Sequence, residues 1–167
     1  MPWKRRPFTG HDLGRALNIG DLRDIARRRV PGFVFEYVES GAEEEVTLRG
    51  NREALERLRL IPQTLVDTSH RHLRTTILGG AANAPLIIAP TGLNGLLHAD
   101  GDVTLACAAA KLGIPYTLST VSTTRLEEVA TRAGGRLWMQ LYVVKERAVG
   151  RDIMQRAAAR SASTASW

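Results

Sequence analysis

The chain has 167 residues, of which 44% are hydrophobic and 24% charged, and this ordinary globular composition excludes collagen-like, low-complexity and wholly disordered proteins. Its formal net charge is +6, but residues 1–30 carry eight basic and three acidic side chains, whereas residues 31–144 carry ten and twelve. Because the excess lies towards the ends and no basic stripe is interleaved with aromatic residues, we expect no nucleic-acid partner.

The apolar runs and the cysteine content indicate the cellular compartment in which the protein is expected. No run reaches the roughly 18 apolar residues that a membrane-spanning helix needs, so no membrane span is expected. No apolar region follows the charged first residues, which argues against a secretory signal. The single cysteine, Cys107, excludes an internal disulfide framework and a multi-cysteine metal site. We therefore expect a cytoplasmic protein without a bound metal.

The first half of the chain is dominated by helical patterns. Residues 1–18 lack periodicity and are expected to form a flexible arm, followed by a helical cap segment over residues 19–84. Within that segment, apolar spacing predicts a helix over residues 21–29 with Asp21 as its N-cap. A short strand followed by a turn is predicted at residues 75–80.

Two further helices are predicted before that strand. The pattern after Pro31-Gly32 favours a helix over residues 33–38, and a third helix is predicted over residues 47–58. In the third helix the apolar residues recur at helical spacing, which predicts that they face inward; they are Leu48, Leu55 and Leu58.

From residue 85 onward, strand and helix patterns alternate three times. The first strand is wholly apolar, which is typical of a parallel strand covered on both faces. The repeat is roughly 25 to 30 residues, which is the length of a βα unit, so an α/β fold with a parallel sheet is predicted. The predicted strands cover residues 86–89, 114–119 and 137–143, and the predicted helices cover residues 102–112, 124–132 and 145–159.

Two architectures use this unit, an open doubly wound sheet and a (β/α)8 barrel. The turn at residues 89–95 lacks the Gly-x-Gly of a dinucleotide-binding sheet, and small or polar residues follow all three strands, as in barrel active sites. We therefore favour the first three units of a barrel over residues 85–159. Because a complete barrel needs about 250 residues, a truncated barrel is expected. Residues 160–167 are expected to form a polar tail that does not continue the family's barrel as a fourth strand.

Five ordered segments carry a resemblance to a known family; they are residues 30–43, 47–52, 89–93, 118–120 and 140–143. The chain resembles the N-terminal portion of the FMN-dependent α-hydroxy acid dehydrogenases and oxidases, which include glycolate oxidase, flavin L-lactate dehydrogenase and mandelate dehydrogenase. The runs at residues 90–95 and 137–144 look most like the mandelate dehydrogenase branch.

The resemblance implies an activity and its substrate. The parent reaction would oxidise an (S)-2-hydroxy acid of the mandelate or lactate type to the 2-oxo acid. Tyr37 matches a tyrosine that hydrogen-bonds the substrate carboxylate. Tyr142 matches a second tyrosine near the substrate hydroxyl, which makes it the candidate catalytic residue. Full-length members of such a family would be homo-oligomers.

The resemblance also implies FMN as the cofactor. A loop that lies against a flat ring needs small residues, because its backbone must approach the ring closely. The pyrimidine edge of the ring offers donors and acceptors, which suits a hydroxyl and an amide. The residues that match the ring loop are Pro90, Thr91 and Gly92, and those that match the polar groups at the edge are Ser119 and Gln140.

Several family positions have no match in this sequence. The family's histidine base, its substrate-binding arginine and its flavin-contacting lysine belong to later strands, and the four histidines here match none of them; they are His11, His70, His72 and His98. An inactive fragment is therefore expected. The alternative is a non-catalytic product, or a half-barrel that persists only when it pairs with another chain.

Overall fold

The computed structural model describes residues 12–160. The chain divides into two compact units, with the boundary between Val66 and Asp67. The strand predicted near residue 75 therefore belongs to the second unit, although the sequence assigned it to the helical segment. Most of the predicted arm at residues 1–18, and the tail after Arg160, lie outside the described residues.

The first unit contains three α-helices within the described range: α1 (Ile19–Arg29), α2 (Gly32–Glu39) and α3 (Val46–Glu56). The prediction that Asp21 caps α1 is wrong, because the cap is Asn18, whose Oδ1 accepts the Asp21 N–H at 2.9 Å. Asn18 has the extended backbone of an N-cap, whereas Asp21 lies inside the first turn. The Asp21 carboxylate instead accepts the Leu17 N–H at 2.8 Å.

The third helix forms as predicted, but its predicted orientation is wrong. Leu48, Leu55 and Leu58 are all exposed. Helical spacing identifies the apolar side of a helix and does not say which neighbour covers it. Between α1 and α2 the link is electrostatic, because Arg23 Nε donates to Glu39 Oε1 at 2.6 Å.

The second unit begins with an antiparallel hairpin of β1 (Thr75–Ile77) and β2 (Gly80–Ala82). Its two-residue turn consists of Leu78 and Gly79, which both have positive φ, at 43° and 75°. Such primed turns match the right-handed twist of the two strands they join. Glycine at the second position adopts this conformation without steric strain.

A parallel sheet follows, as the sequence predicts. Strands β3 (Tyr116–Leu118) and β4 (Leu137–Met139) pair in parallel, with Tyr116 opposite Leu137. Ile88 forms a single parallel bridge to Tyr116 on the other side of β3. The α/β class and the parallel order are thus confirmed.

The first of the predicted strands, residues 86–89, is reduced to that one bridge. The prediction that it is covered on both faces is wrong, because Leu86 is 59% and Ile87 43% exposed. Pro85 and Pro90 flank the segment and have no N–H to donate, and within the described residues only β3 pairs with it.

Four α-helices complete the described part of the second unit. They are α4 (Asn94–Leu97), α5 (Gly101–Leu112), α6 (Leu126–Ala133) and α7 (Arg147–Arg160). Gly113 ends α5 with φ of 66°, the left-handed conformation that glycine adopts at helix C-termini. The buried cluster joins α5, β3 and α6; its members are Val103, Ala106, Ala109, Ile114, Tyr116, Leu118 and Val129.

Arg136, just before β4, ties the hairpin to the sheet. Its Nη1 donates to the Gly80 carbonyl at 3.0 Å, and its Nη2 donates to the carbonyls of Ile77 and Leu78. The guanidinium also lies 5.2 Å from the centre of the Trp138 ring. We expect Arg136→Ala to lower the free energy of unfolding by about 2 to 3 kcal/mol, because hydrogen bonds from a charged donor are lost.

Thermal unfolding followed by far-UV circular dichroism measures this loss. Arg71→Ala is the matched control, since within residues 12–160 Arg71 donates a single, exposed hydrogen bond, to the Thr68 carbonyl. The control should change stability by less than about 0.5 kcal/mol. Equal losses in the two variants would contradict the role given to Arg136.

Candidate functional site

Three loops leave the same edge of the parallel sheet. They follow Ile88, β3 and β4, and parallel strands bring their carboxyl ends together at one edge. Such edges are where α/β proteins place ligand sites. Six of the seven predicted site residues lie in these loops, namely Pro90, Thr91, Gly92, Ser119, Gln140 and Tyr142.

Ser119 and Gln140 are brought together, as the predicted polar edge requires. Gln140 Oε1 accepts the Thr120 N–H at 3.1 Å and lies 3.4 Å from the Ser119 hydroxyl. The Thr120 hydroxyl donates to the Gln140 carbonyl at 2.5 Å. Within residues 12–160 the Nε2 of Gln140 has no hydrogen-bond partner, so this amide can donate to a ligand.

The loop after Ile88 is fixed against the loop after β3. The Leu93 N–H donates to the Val121 carbonyl at 3.1 Å, and the Gly95 N–H donates to Thr123 Oγ1 at 2.9 Å. A Cβ placed on Gly92 would lie 2.5 Å from Val121 Cγ2. Glycine at this position therefore permits the close approach of the two loops.

The two tyrosines have different relations to this edge. Tyr142 is joined to it, because its N–H donates to Thr120 Oγ1 at 3.1 Å, and its side chain is 56% exposed. Tyr37 lies on α2 in the first unit and is 66% exposed. Both side chains are accessible, and the role of each in substrate binding stays a prediction.

Sequence reasoning missed a buried carboxylate next to the three loops. Asp102, in the first turn of α5, is fully buried and accepts hydrogen bonds from four side chains. Burial alone would raise the pKa of Asp102, but those hydrogen bonds together hold it below its usual range. The donors are Asn94 at 2.7 Å, Ser122 at 2.7 Å, Thr123 at 3.1 Å and Tyr116 at 3.2 Å.

A signal for this carboxylate exists in the sequence. Asp102 precedes Val103 and lies on the same side of α5 as Ala106 and Ala109, which are buried. An acid at a helix start is usually explained by the helix dipole, and that explanation hides an acid that faces the core. Burial and the nearby carboxylate also raise the pKa of the Tyr116 hydroxyl, which therefore remains a donor.

Metal binding and membrane spanning were also searched within residues 12–160. No group of three or more His, Cys, Asp and Glu side chains there could hold a metal ion. No helix in this range combines the length and the apolar character needed to cross a bilayer. The histidines of this range, His70, His72 and His98, are exposed, and His11 lies outside it.

The edge offers an amide donor beside a hydroxyl, which are groups that a flavin ring can bind. Gln140 Nε2 has no partner within residues 12–160, and the buried Ser119 hydroxyl beside it accepts the Val121 N–H at 3.2 Å. Gly92 lets the loop backbone approach Val121 closely. Ring systems with mixed donors and acceptors on one edge are bound by such amide and hydroxyl groups. These residues fit FMN.

Comparison with known proteins identifies relatives of this chain. (S)-mandelate dehydrogenase of Pseudomonas putida is 45% identical over 127 residues, which cover 76% of this chain and 32% of that protein. Glycolate oxidase 1 of Zea mays is 39% identical over 145 residues, which cover 87% of this chain and 39% of the relative. The chain thus spans about a third of the length of these relatives.

The fold agrees with a solved structure. A crystal structure of (S)-mandelate dehydrogenase, described as a monotopic membrane protein, matches with a TM-score of 0.83 and 40% identity, over 87% of this chain and 39% of that one. The family model for FMN-dependent dehydrogenases matches residues 26–166, a range that includes most of the predicted tail at residues 160–167. FMN is the cofactor of that family, as the sequence motifs imply. The chain belongs to the FMN-dependent dehydrogenase family.

Proposed function

We propose that this chain forms the first three βα units of a (β/α)8 barrel that oxidises an (S)-2-hydroxy acid to the 2-oxo acid. Family membership and the arrangement of the three loops at one sheet edge support this proposal. Mandelate and lactate are the substrates proposed, since relatives named for each are 45% and 43% identical to the chain. When bound, FMN accepts the two electrons removed from the substrate carbon.

In this proposal, different residues of the three loops contact the face and the edge of the FMN ring. The backbone of Pro90, Thr91 and Gly92 provides a flat surface for one face of the ring. Ser119 and Gln140 hydrogen-bond its pyrimidine edge, with the Gln140 Nε2 as donor because Oε1 is engaged by Thr120. This arrangement orients the ring and leaves its reactive face open to substrate.

The tyrosines act on the substrate in this proposal. The exposed Tyr142 hydrogen-bonds the substrate hydroxyl. The role of Tyr37 at the substrate carboxylate, which the resemblance implies, stays a prediction. A phenol is a donor at neutral pH, so it can bind either oxygen without itself carrying charge. Cytoplasmic localisation stays a prediction from the sequence.

The single observation that carries the proposal is the pairing of Ser119 with Gln140 beside the Gly92 loop, which packs closely against Val121. We expect Gly92→Ala to weaken FMN binding by the 167-residue chain about tenfold, which corresponds to about 1.4 kcal/mol. The added methyl meets Val121 Cγ2, so the loop after Ile88 and the loop after β3 must move apart, and the ring loses its fit to both. Titration of flavin fluorescence with the purified chain measures the affinity.

Gly50→Ala is the matched control for this substitution. Gly50 lies within α3, and a Cβ added there meets nothing within 4 Å. Its affinity for FMN should equal that of the wild-type chain. Binding that is unchanged by both Gly92→Ala and Gln140→Ala would show that the ring lies elsewhere.

A second candidate function is a non-catalytic half-barrel that pairs with another chain. The observation in its favour is an apolar groove of about 470 Å³ between β4 and α7. Among its lining residues are Trp138, Leu141, Ile153 and Met154. Apolar surface of this kind is usually covered by a partner or by further chain.

A further inference from the structure

A single buried carboxylate connects the loops of the proposed FMN site. Asp102 Oδ1 accepts from Asn94 Nδ2 at 2.7 Å and from the Tyr116 hydroxyl at 3.2 Å. Its Oδ2 accepts from the hydroxyls of Ser122 at 2.7 Å and Thr123 at 3.1 Å. A carboxylate can occupy a dry site only where its lone pairs are filled in this way.

Three of these donors also hold the backbone of the ring-facing loops. Asn94 Nδ2 donates to the Thr91 carbonyl at 3.1 Å as well as to Asp102. Thr123 Oγ1 accepts the Gly95 N–H, and the Ser122 N–H donates to the Ser119 carbonyl at 3.1 Å. One residue therefore separates the carboxylate from the loop at Thr91 and from the loop at Ser119.

We propose that Asp102 is a positioning residue for the FMN site, whose two carboxylate oxygens fix the Thr91–Gly95 loop against the Ser119–Thr123 loop. The inference rests on the proposed function, because it assigns these loops to the ring. Asp102 itself is fully buried, so it acts on the site through the side chains that donate to it.

The carboxylate is needed for its four acceptor sites. In Asp102→Asn the new oxygen can still accept from Asn94, but the new NH2 group then faces Ser122 and Thr123. Ser122 can accept from it and still donate to the Thr124 carbonyl at 2.9 Å. Thr123 already accepts the Gly95 N–H, and its own proton must turn away from residue 102 towards solvent, so the hydroxyl is no longer held by the carboxylate. The hydrogen bond from the Gly95 N–H to Thr123 Oγ1, which joins the two loops, should therefore become weaker.

Residue-resolved amide hydrogen exchange tests whether Asp102 fixes the two loops, and the experiment needs no cofactor. In Asp102→Asn we expect exchange at Leu93 and Gly95 to accelerate at least about tenfold relative to Ile114, whose N–H bonds Ala109 within the core. Val129→Ala is the control, because Val129 is fully buried in α6 and has no part in the network. In that variant the ratio between loop and core exchange should stay constant.

FMN affinity gives the second readout. Asp102→Asn should bind FMN about tenfold more weakly than the wild-type chain, whereas Val129→Ala, below its unfolding temperature, should bind within about twofold. Uniform acceleration of exchange, or equal FMN affinity in the two variants, would overturn the proposal. If the wild-type chain binds no FMN while the exchange pattern is as expected, the proposed function fails and Asp102 remains the residue that holds the loops.

Thr123→Val keeps the test decisive if Asp102→Asn does not fold. Thr123 is exposed, and valine preserves its shape while removing the hydroxyl that links Asp102 to Gly95. Exchange at Gly95 should accelerate and FMN affinity should fall, with Ile114 unchanged. Failure of both changes would show that the Asp102 network does not position the loops.

Discussion

Saturated with FMN, the purified 167-residue chain should oxidise mandelate and lactate no faster than free FMN does. The reaction needs a base within about 3 Å of the substrate proton and a positive charge beside the ring. Within residues 12–160 no histidine hydrogen-bonds the Ser119–Gln140–Tyr142 group, and His98 Nδ1 is engaged by the Ala99 carbonyl at 2.5 Å. Steady-state turnover with an artificial electron acceptor measures the rate.

Tyr142→Phe separates enzyme turnover from background. The variant keeps the ring and the Tyr142 N–H that bonds Thr120, and removes only the hydroxyl proposed to bind substrate. Under our expectation the wild-type chain and the variant give the same rate as free flavin. A rate above free FMN that Tyr142→Phe abolishes would contradict the expectation and show that the chain itself carries a working site.

Local signals made much of the fold predictable. Gly113 ends α5 because it adopts a positive φ, and the three predicted helices α5, α6 and α7 begin within two residues of their predicted starts, whereas the four-residue α4 was not predicted. The alternation of apolar runs with helical spacing identified a parallel sheet, since parallel strands require a crossover helix between them. These features depend on residues that are close in sequence, so they can be recognised from one amino-acid sequence.

Features that depend on distant neighbours could not be predicted in the same way. The apolar run at Leu86 and Ile87 indicates that a strand could be covered, but its cover must come from other elements. The same holds for Leu48 and Leu55 on α3, which are apolar at the right spacing and yet exposed. Apolar periodicity shows which face of one helix or strand is apolar. Whether that face is buried depends also on the element that packs against it.

The site was predictable in part, and for a different reason. Gln140 and Ser119 were found through the resemblance, and the structure places them 3.4 Å apart between the side-chain atoms. Asp102 was missed because no motif marks it, and because an acid in a first helical turn has an ordinary explanation. Its importance appears only when four donors from different segments converge on it.

The isolated chain should unfold over a broad temperature range and associate as its concentration rises. Within the described residues β4 pairs on one side only, with β3, and the segment around Ile88 also has a single neighbour. A short parallel sheet with two unpaired edges cannot close into a barrel, so much of the apolar surface that would stabilise it stays in water. Calorimetry combined with sedimentation velocity over a range of concentrations measures both properties.

Charge placed in the groove between β4 and α7 tests where association occurs. Met154 lines that groove and is 52% exposed, so Met154→Glu should suppress association while changing stability little. Leu112→Glu is the matched control, because Leu112 is 60% exposed at the end of α5 and does not line the groove. Equal suppression by both variants would indicate non-specific aggregation.

Sharp, cooperative unfolding of a monomer at ordinary mesophilic temperatures, about 45 to 65 °C, would contradict the prediction of broad unfolding. Such a result would require that the exposed sheet edges destabilise the chain only slightly.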